Sequence, residues 1–301
     1  MKYSVDITKE NSSEIVVLEN TSKTSKATIV LNEGARVKDL TFDNITVIQE
    51  QQNFDYKDSY ASSILFPFVS RIKNGIYTFQ ENTYQLECNN DKNALHGLVY
   101  NKPFQVFDVK EQKNSCSVTL NYNENNLSKG FPFTYLISVT YTLLKDELKI
   151  NIAIKNTDKK KFPFTLGWHP YFFVENISNS TIAFDAAKKV VFDENLITKD
   201  IEDYQNKKSF KIEDKKLDDC FFLVDNCVSF STDSYKISIA SSVNNNYLQL
   251  YTPANRKLIA IEPMTGISNS FNNKIGLQTL DANETFNMCW NVSFTNLLNH
   301  E

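Results

Sequence analysis

Hydrophobic and polar residues alternate along most of this chain, in short segments that polar residues separate. On a β-strand successive side chains point to opposite faces, so this alternation gives one apolar and one polar face. Alternation, or an apolar run of strand length, occurs at residues 14–19, 26–31, 45–49, 77–79, 83–87, 104–109, 117–122, 135–143, 147–154, 180–184, 189–193, 220–224, 235–240, 247–252, 258–262 and 288–294. The pattern predicts a strand in each of these segments.

The connections between these segments are short and carry no helical pattern. Segments 135–143 and 147–154 flank Leu144, Lys145 and Asp146, which predicts a hairpin turn. No apolar stripe with the spacing i, i+3, i+4, i+7 persists for three turns. Many strands without intervening helices are typical of an antiparallel sandwich rather than of βαβ units. We therefore predict an all-β fold, a large antiparallel β-sandwich.

No composition shift divides the 301 residues, so we predict a single domain over residues 1–301. This length is about twice that of a typical domain, which a large sandwich accommodates. The polar segment 198–216 is mixed in charge and poor in large apolar residues. It fits a solvated loop or a β-hairpin excursion better than an interdomain linker.

Composition adds to this picture mainly by exclusion. The 35 Asn against 12 Ala favour strands joined by turns, although an AT-rich genome would enrich Asn in the same way. A net charge of -4 provides no basic surface for nucleic acid or an anionic membrane. No apolar run approaches the ~20 residues of a membrane span, and residues 1–14 lack the apolar core of a secretory signal.

The five cysteines are scattered, odd in number and without a CxxC pair. This usage is typical of a reducing compartment, so we predict a cytoplasmic protein. The sequence also lacks HExxH, GxSxG, GxGxxG and the P-loop motif, and we therefore predict neither a metal nor a nucleotide cofactor. The remaining chemistry is proton transfer by histidine and carboxylate, with arginine binding the substrate.

The three histidines differ in their surroundings. His300 is next to the C-terminal residue and is expected to lie in a tail. His96 lies in a turn-like stretch between strands, 93–97, and His169 lies in a turn-like stretch, 167–171, that directly follows the apolar segment 162–166. A packed or surface imidazole is the plain alternative for each, but loops on a rigid scaffold are where site residues tend to lie.

Arg71 is one of only three arginines, against 29 lysines. Its planar guanidinium can bind paired oxygens in a way that lysine cannot, although an arginine at a strand end can simply cover apolar surface. Glu262 ends the apolar run 258–261. A carboxylate at a strand end is ordinarily solvated, which is the alternative to a role in a site. Asp218 and Asp219 precede another apolar run.

Five motifs resemble, in this order, those of the aldose 1-epimerase (mutarotase) family. They are FPFVSRIKNGIYTFQENTYQLECNNDKNALHGLVYNKPF (66–104), GFPFTYLISVTYTL (130–143), LGWHPYF (166–172), LDDCFF (217–222) and AIEPMTG (260–266). The similarity extends from about Gly34 to Trp290, and five motifs in family order are specific where each alone is not. The resemblance implies a large antiparallel β-sandwich of the galactose-mutarotase type, which agrees with the periodicity.

By position, the resemblance implies that His169 is the general acid and Glu262 the general base of an isomerase. His96 falls beside them as a further catalytic residue that assists at the ring oxygen, and Arg71 binds sugar hydroxyls. Asp219 matches the carboxylate that accepts hydrogen bonds from the sugar. The family needs no metal and no cofactor.

Three departures from the family pattern concern these motifs. Ser70 stands where an Asn usually precedes the arginine, and Leu98 stands where galactose-type members have a second glycine. The second histidine lies in Trp-His-Pro-Tyr rather than in Asn-His-x-Tyr. The motifs therefore resemble a divergent bacterial branch, which makes galactose less expected as the preferred sugar.

The implied reaction opens a hexopyranose by acid and base catalysis. One group removes the O1 proton and another protonates O5 as the C1–O5 bond breaks; rotation about C1–C2 and reclosure give the other anomer. With ordinary pKa values of about 4.3 and 6.5, Glu262 is expected to be ionised and His169 protonated near neutral pH.

Three functions remain open at this point. The favoured one is an aldose 1-epimerase acting on a free hexose; the others are a hexose-6-phosphate 1-epimerase and a non-catalytic carbohydrate-binding module. The scarcity of arginine disfavours a phosphate site, and a lectin needs no acid/base pair. We expect a small sugar as the substrate, no nucleic acid or membrane partner, and a monomer or homodimer.

Overall fold

The computed structural model describes residues 2–10, 13–51, 54–205, 208–244, 246–254 and 256–298. His300, which was expected in a C-terminal tail, lies outside these residues. No helix in the described ranges is both long and apolar enough to cross a bilayer.

Strands dominate the structure, and the few helical segments are single turns. The strands are β1 (Tyr3–Glu10), β2 (Ser13–Asn20), β3 (Lys26–Val30), β4 (Arg36–Phe42), β5 (Ile45–Ile48), β6 (Ile64–Leu65), β7 (Arg71–Ile72), β8 (Ile76–Phe79), β9 (Asn82–Gln85), β10 (Ala94–Leu95), β11 (Gln105–Glu111), β12 (Cys116–Glu124), β13 (Tyr135–Leu143), β14 (Glu147–Asn156), β15 (Phe162–Phe164), β16 (Gly167–Trp168), β17 (Tyr171–Phe173), β18 (Thr181–Phe192), β19 (Thr198–Asp203), β20 (Ser209–Lys211), β21 (Asp218–Ser231), β22 (Tyr235–Ser241), β23 (Tyr247–Tyr251), β24 (Leu258–Met264), β25 (Gln278–Leu280) and β26 (Thr285–Asn296). The α-helical turns are α1 (Tyr56–Ser59) and α2 (Ser270–Asn273), and 3-10 turns occupy Lys73–Gly75 and Ile177–Asn179. The prediction of an all-β fold is confirmed.

Two antiparallel sheets contain most of these strands. The first has the order β1-β2-β3-β4-β5. The second has fifteen strands, with the central order β11-β12-β13-β14-β26-β22-β21-β23-β24-β16-β6; β17 pairs with β24, and β18 joins β21 to β19 and β20. The predicted hairpin between β13 and β14 is confirmed, and the Leu144 N–H donates to the Glu147 carbonyl across its turn (2.9 Å).

The two sheets pack face to face around one hydrophobic core, as in a sandwich. Every second residue of β13 from Tyr135 to Leu143 is fully buried, and these side chains share a core with Val16 and Ile29 of the first sheet. The Tyr141 hydroxyl donates to the Ala35 carbonyl (2.8 Å) and so joins the two layers. Burial of alternate residues is the physical origin of the pattern in the sequence.

The polar segment 198–216 forms β19 and β20, which both pair with β18. β19 forms a hairpin with β18, and β20 pairs with an earlier part of β18, so the segment belongs to the large sheet and is not a linker. Residues 206–207 within it lie outside the described residues. The sequence pattern did not predict β1, β4, β6, β7, β10, β15, β16, β17 and β25. All five cysteines are free thiols.

Candidate active site

An open cleft of about 680 Å³ lies over the part of the large sheet formed by β21, β23 and β24. Segments that precede β7, follow β10 and link β16 to β17 also reach it. Its polar lining includes Arg71, Asn90, His96, His169, Asp218 and Glu262.

Strand register builds the floor of this cleft. Glu262 on β24 lies opposite Gln249 on β23, and Tyr251 on β23 lies opposite both Ala260 and Asp218. Because side chains two residues apart share a face, Glu262, Gln249 and Tyr251 all face the cleft. The Gln249 amide donates to Asp218 Oδ1 (2.8 Å), which fixes that carboxylate at the edge of the floor.

Arg71 and His96 are brought together by the short antiparallel pair of β7 and β10. Leu95 pairs with Arg71, so His96 leaves β10 beside the arginine, and the His96 N–H donates to the Ser70 carbonyl (2.9 Å). The next residue, Gly97, has φ +78, and a Cβ built there would lie 2.3 Å from the Phe66 carbonyl oxygen. Only glycine fits this close approach of two backbones.

His169 lies in the two-residue link between β16 and β17, and its backbone is held on both sides. Its N–H donates to the Ser63 carbonyl (3.0 Å), and its carbonyl accepts from the Ser62 N–H (2.7 Å). Its ring stacks on the Tyr171 ring, with centroids 5.0 Å apart, and the His96 ring meets it edge to face at 4.9 Å. The imidazole therefore has a fixed orientation in the cleft.

His169 and Glu262 are the closest acid/base candidates in the cleft. His169 Nε2 lies 3.5 Å from Glu262 Oε1, although the two residues are 93 positions apart in the sequence. Both side chains are buried. The Nδ1 atoms of His96 and His169 are also buried and have no hydrogen-bond partner among the described residues.

Burial controls the ionisation of these groups. It lowers the pKa of His169 to about 3. It also lowers the pKa of His96 well below its ordinary value, and His169 and Arg71 add to this shift. Burial raises the pKa of Glu262 well above its ordinary value; Asp218 adds to the shift, whereas Arg71 opposes it. Burial therefore favours the uncharged form of all three groups, that is, two neutral imidazoles and a protonated carboxyl group.

These protonation states differ from those expected from the sequence, in which Glu262 is ionised and His169 is protonated. The expectation used the pKa values of solvated groups, whereas desolvation penalises the charged form of both side chains. The pair carries one proton in either arrangement. Transfer of that proton between Oε1 and Nε2 converts the uncharged pair into the charged one.

Four of the five predicted site residues line the cleft: Arg71, His96, His169 and Glu262. Asp219 is not among the lining residues, and its Oδ1 forms an ion pair with Lys189 Nζ (2.6 Å). Its neighbour Asp218 lines the cleft instead, because successive residues of a strand face opposite sides. The geometry favours Asp218 for the role that the sequence assigned to Asp219.

Two further polar residues of the cleft were not predicted. Asn90 accepts a hydrogen bond from Arg71 Nε at 3.0 Å, which orients the guanidinium. Gln249 holds Asp218, as described above. Neither residue stands out in the sequence, because Asn is abundant throughout the chain and Gln249 lies within an ordinary strand pattern.

The described residues contain no group of three or more His, Cys, Asp or Glu side chains arranged to hold a metal ion. The chemistry that the lining residues themselves offer is proton transfer between paired groups, with hydrogen bonding to a polar ligand.

Comparison with known proteins shows the family of this chain. The aldose 1-epimerase family model matches residues 14–290. The chain therefore belongs to the aldose 1-epimerase family. It is also 27% identical over 280 residues to the uncharacterized protein YihR of Escherichia coli (strain K12), covering 88% of this chain and 89% of that protein.

Solved structures show the same fold. A galactose mutarotase-like protein from Clostridium acetobutylicum superposes with a TM-score of 0.88 at 18% identity, covering 98% of this chain and 99% of that one. Galactose 1-epimerase from Lactobacillus acidophilus NCFM superposes with a TM-score of 0.81 at 16% identity, covering 98% and 99%. The sandwich type predicted from the sequence motifs is thus confirmed.

Proposed function

We propose that this protein is an aldose 1-epimerase that interconverts the α and β anomers of a free hexose. The observation that carries the proposal is the placement of Glu262 Oε1 3.5 Å from His169 Nε2 in an open cleft. Two proton-transfer groups at this separation can both reach the O1 and O5 atoms of one pyranose.

The reaction uses the charged arrangement of the pair. The single proton moves from Glu262 to His169; the Glu262 carboxylate then removes the O1 proton, while His169 protonates O5 as the C1–O5 bond breaks. Rotation about C1–C2 presents the other face of the aldehyde, and the reverse transfers close the ring. Arg71, whose charge favours an ionised Glu262, stabilises this arrangement.

The charge of the cleft supports an unphosphorylated substrate. Its lining includes the carboxyl groups of Asp55, Asp58 and Asp218 in addition to Glu262, and Arg71 is the only lysine or arginine among the described lining residues. A phosphate dianion would meet several acidic groups and a single guanidinium that Asn90 already engages. This arrangement disfavours a hexose 6-phosphate.

The environment of Glu262 supports an enzyme rather than a binding module. A carboxyl group that burial holds protonated destabilises the fold whenever it ionises. Hydrogen bonding to a sugar needs no such group, since an exposed carboxylate or amide serves equally well. A buried acid next to a buried imidazole is the arrangement in which pKa values are adjusted for proton transfer.

The test is the rate of anomeric exchange, followed by optical rotation and by NMR with free and 6-phosphorylated aldoses. Glu262→Gln keeps the volume of the side chain but cannot act as a base, so kcat should fall about 10²–10⁴-fold. Sugar affinity, measured by calorimetry, should change much less. Glu175→Gln is the matched control, because Glu175 is exposed and does not line the cleft.

Each alternative gives a different result. Sugar binding without accelerated exchange would identify a binding module, and a higher kcat/KM for a 6-phosphate than for any free hexose would identify a phosphorylated substrate. Unchanged kcat in Glu262→Gln would show that another group is the base. The variant should fold. In wild type the raised pKa of Glu262 costs stability as pH rises above the ordinary pKa of about 4.3, and glutamine, which does not ionise, removes this cost.

A further inference from the structure

The turn between β18 and β19, residues 193–197, forms a compact tip that reaches the cleft; we call it the β18–β19 tip. Asp193 Oδ1 accepts hydrogen bonds from the N–H groups of Asn195 and Ile197, both at 2.9 Å. The Leu196 N–H donates to the Asp193 carbonyl at 3.0 Å. Asp193 thus closes the turn with its own side chain.

Two further hydrogen bonds attach this tip to the loop that follows β24, the strand of Glu262. The buried Ser268 hydroxyl donates to the Leu196 carbonyl (2.8 Å), and the Thr198 hydroxyl donates to the Ser268 carbonyl (2.7 Å). Phe192, at the end of β18, packs on a core cluster that contains Met264. The tip is therefore held firmly against the site.

Leu196 presents apolar surface to the cleft rather than to the core. It lines the cleft together with Phe192 and is partly exposed. None of the hydrophobic clusters formed by the described residues includes it. Its backbone has φ +57, a conformation that bulky residues rarely adopt. The hydrogen bond from Ser268 holds the backbone of this residue in place.

The cleft therefore combines a polar floor with an apolar wall. Arg71, Asp218 and Gln249 offer charged and amide groups to hydroxyls, whereas Leu196 and Phe192 offer only C–H groups. A pyranose has the same two-sided chemistry, since its hydroxyls radiate around the ring and its axial C–H groups form apolar patches on the faces. Apolar walls with a few placed polar groups are typical of small-molecule sites.

We propose that Leu196 is a specificity-determining residue that packs on a C–H face of the bound aldopyranose and selects an uncharged ring. The inference rests on the proposed function, because it assigns the sugar to this cleft. The wall contacts the ring equally in the ground state and in the transition state, so it contributes to KM and not to kcat.

Leu196→Asn is the decisive variant. Asparagine has a similar size and tolerates positive φ, so the backbone is preserved while the apolar contact is lost. We expect KM and the sugar dissociation constant to rise about tenfold, with kcat within about twofold of wild type. Leu196→Met retains an apolar side chain, so its KM should stay within about threefold of the wild-type value.

Leu127→Asn is the matched control. Leu127 also has positive φ (+55) and is exposed, but it does not line the cleft. The same substitution there changes backbone strain without touching the sugar, so KM should stay at the wild-type value. Both Asn variants should keep a melting temperature within about 3 °C of wild type.

The outcomes separate this inference from the proposed function. If wild type accelerates anomeric exchange but the Leu196→Asn and Leu127→Asn variants have the same KM, the role of Leu196 is refuted and the epimerase stands. A fall in kcat at unchanged KM, or a melting temperature lowered by more than about 3 °C in Leu196→Asn alone, also overturns it. If wild type neither binds nor interconverts any aldose, the proposed function fails and this inference fails with it.

Discussion

Asp218 and Asp219 are neighbours in β21 but have different surroundings. Asp218 accepts a hydrogen bond from Gln249 and its pKa is raised, first by burial and then by Asp219, although Arg71 opposes the shift. Asp219 pairs with Lys189 away from the lining of the cleft. At this scale a single step along a strand decides whether a carboxylate reaches the cleft.

The two aspartates give a direct test of that assignment. Asp218→Asn should raise KM about tenfold, because a charge-assisted hydrogen bond to a sugar hydroxyl becomes a neutral one, worth about 1.5 kcal/mol less. Asp219→Asn is the internal control and should leave KM within about twofold, with at most a small loss of stability from its partly exposed ion pair. Steady-state kinetics of both variants on the same sugar show which aspartate binds it. The reverse ranking would return the role to Asp219.

At the scale of elements, the site depends on very short strands. The pair of β7 and β10 has only two residues in each strand, yet it places Arg71 beside His96. Backbone contacts hold this unit: the His96 N–H donates to the Ser70 carbonyl, and the Leu98 N–H donates to the Phe66 carbonyl (2.7 Å).

Gly97→Ala should disrupt this unit. The substitution forces alanine into a left-handed conformation, which costs about 1–2 kcal/mol, and directs its Cβ against the Phe66 carbonyl oxygen. We expect a loss of at least about 2 kcal/mol in the free energy of unfolding, measured by urea titration, together with a lower kcat/KM. Asn283→Ala is the control, because Asn283 also has positive φ (+64) but is exposed. An equal loss in both variants would show that the contact at Phe66 is unimportant.

At the scale of the whole molecule, the buried histidines make stability depend on pH. The unfolded chain protonates His169 near pH 6.5, whereas the folded chain does so only near pH 3. Between these values the unfolded state binds more protons than the folded state. The contribution of neutral His169 to stability is therefore fully present above pH 6.5 and is lost as pH falls.

This dependence can be measured with one substitution. Lowering the pH from 7 to 5 should remove about 2 kcal/mol of the contribution of His169 to the stability of wild type, from its unfolded pKa. Glu262, whose pKa is raised, contributes with the opposite sign, but it is present in both proteins and cancels in their difference. His169→Phe keeps an aromatic ring against Tyr171 and should lose about 2 kcal/mol less than wild type over the same change. Urea unfolding at the two pH values provides the measurement. Equal losses in both proteins would mean that His169 titrates normally in the folded state.

The sequence by itself determined the class of fold and singled out four of the residues that line the cleft. Alternation is a local property of a strand, so segments such as 135–143 and 147–154 could be recognised without their neighbours. Strands of two residues, such as β6, β7, β10 and β16, are too short to show a period. The motifs around Arg71, His96, His169 and Glu262 marked the cleft through the family resemblance, and the structure brings all four together.

Only the tertiary structure decided which aspartate faces the cleft, in which direction burial shifts the pKa values of Glu262 and His169, and what forms the apolar wall. Each of these depends on distant segments of the chain. The pKa of Glu262 is raised by burial under strands and loops that its own neighbours do not predict. Leu196 reaches the cleft because Ser268, 72 residues later, holds its carbonyl. Burial and contact are properties of packed elements, and no local pattern records them.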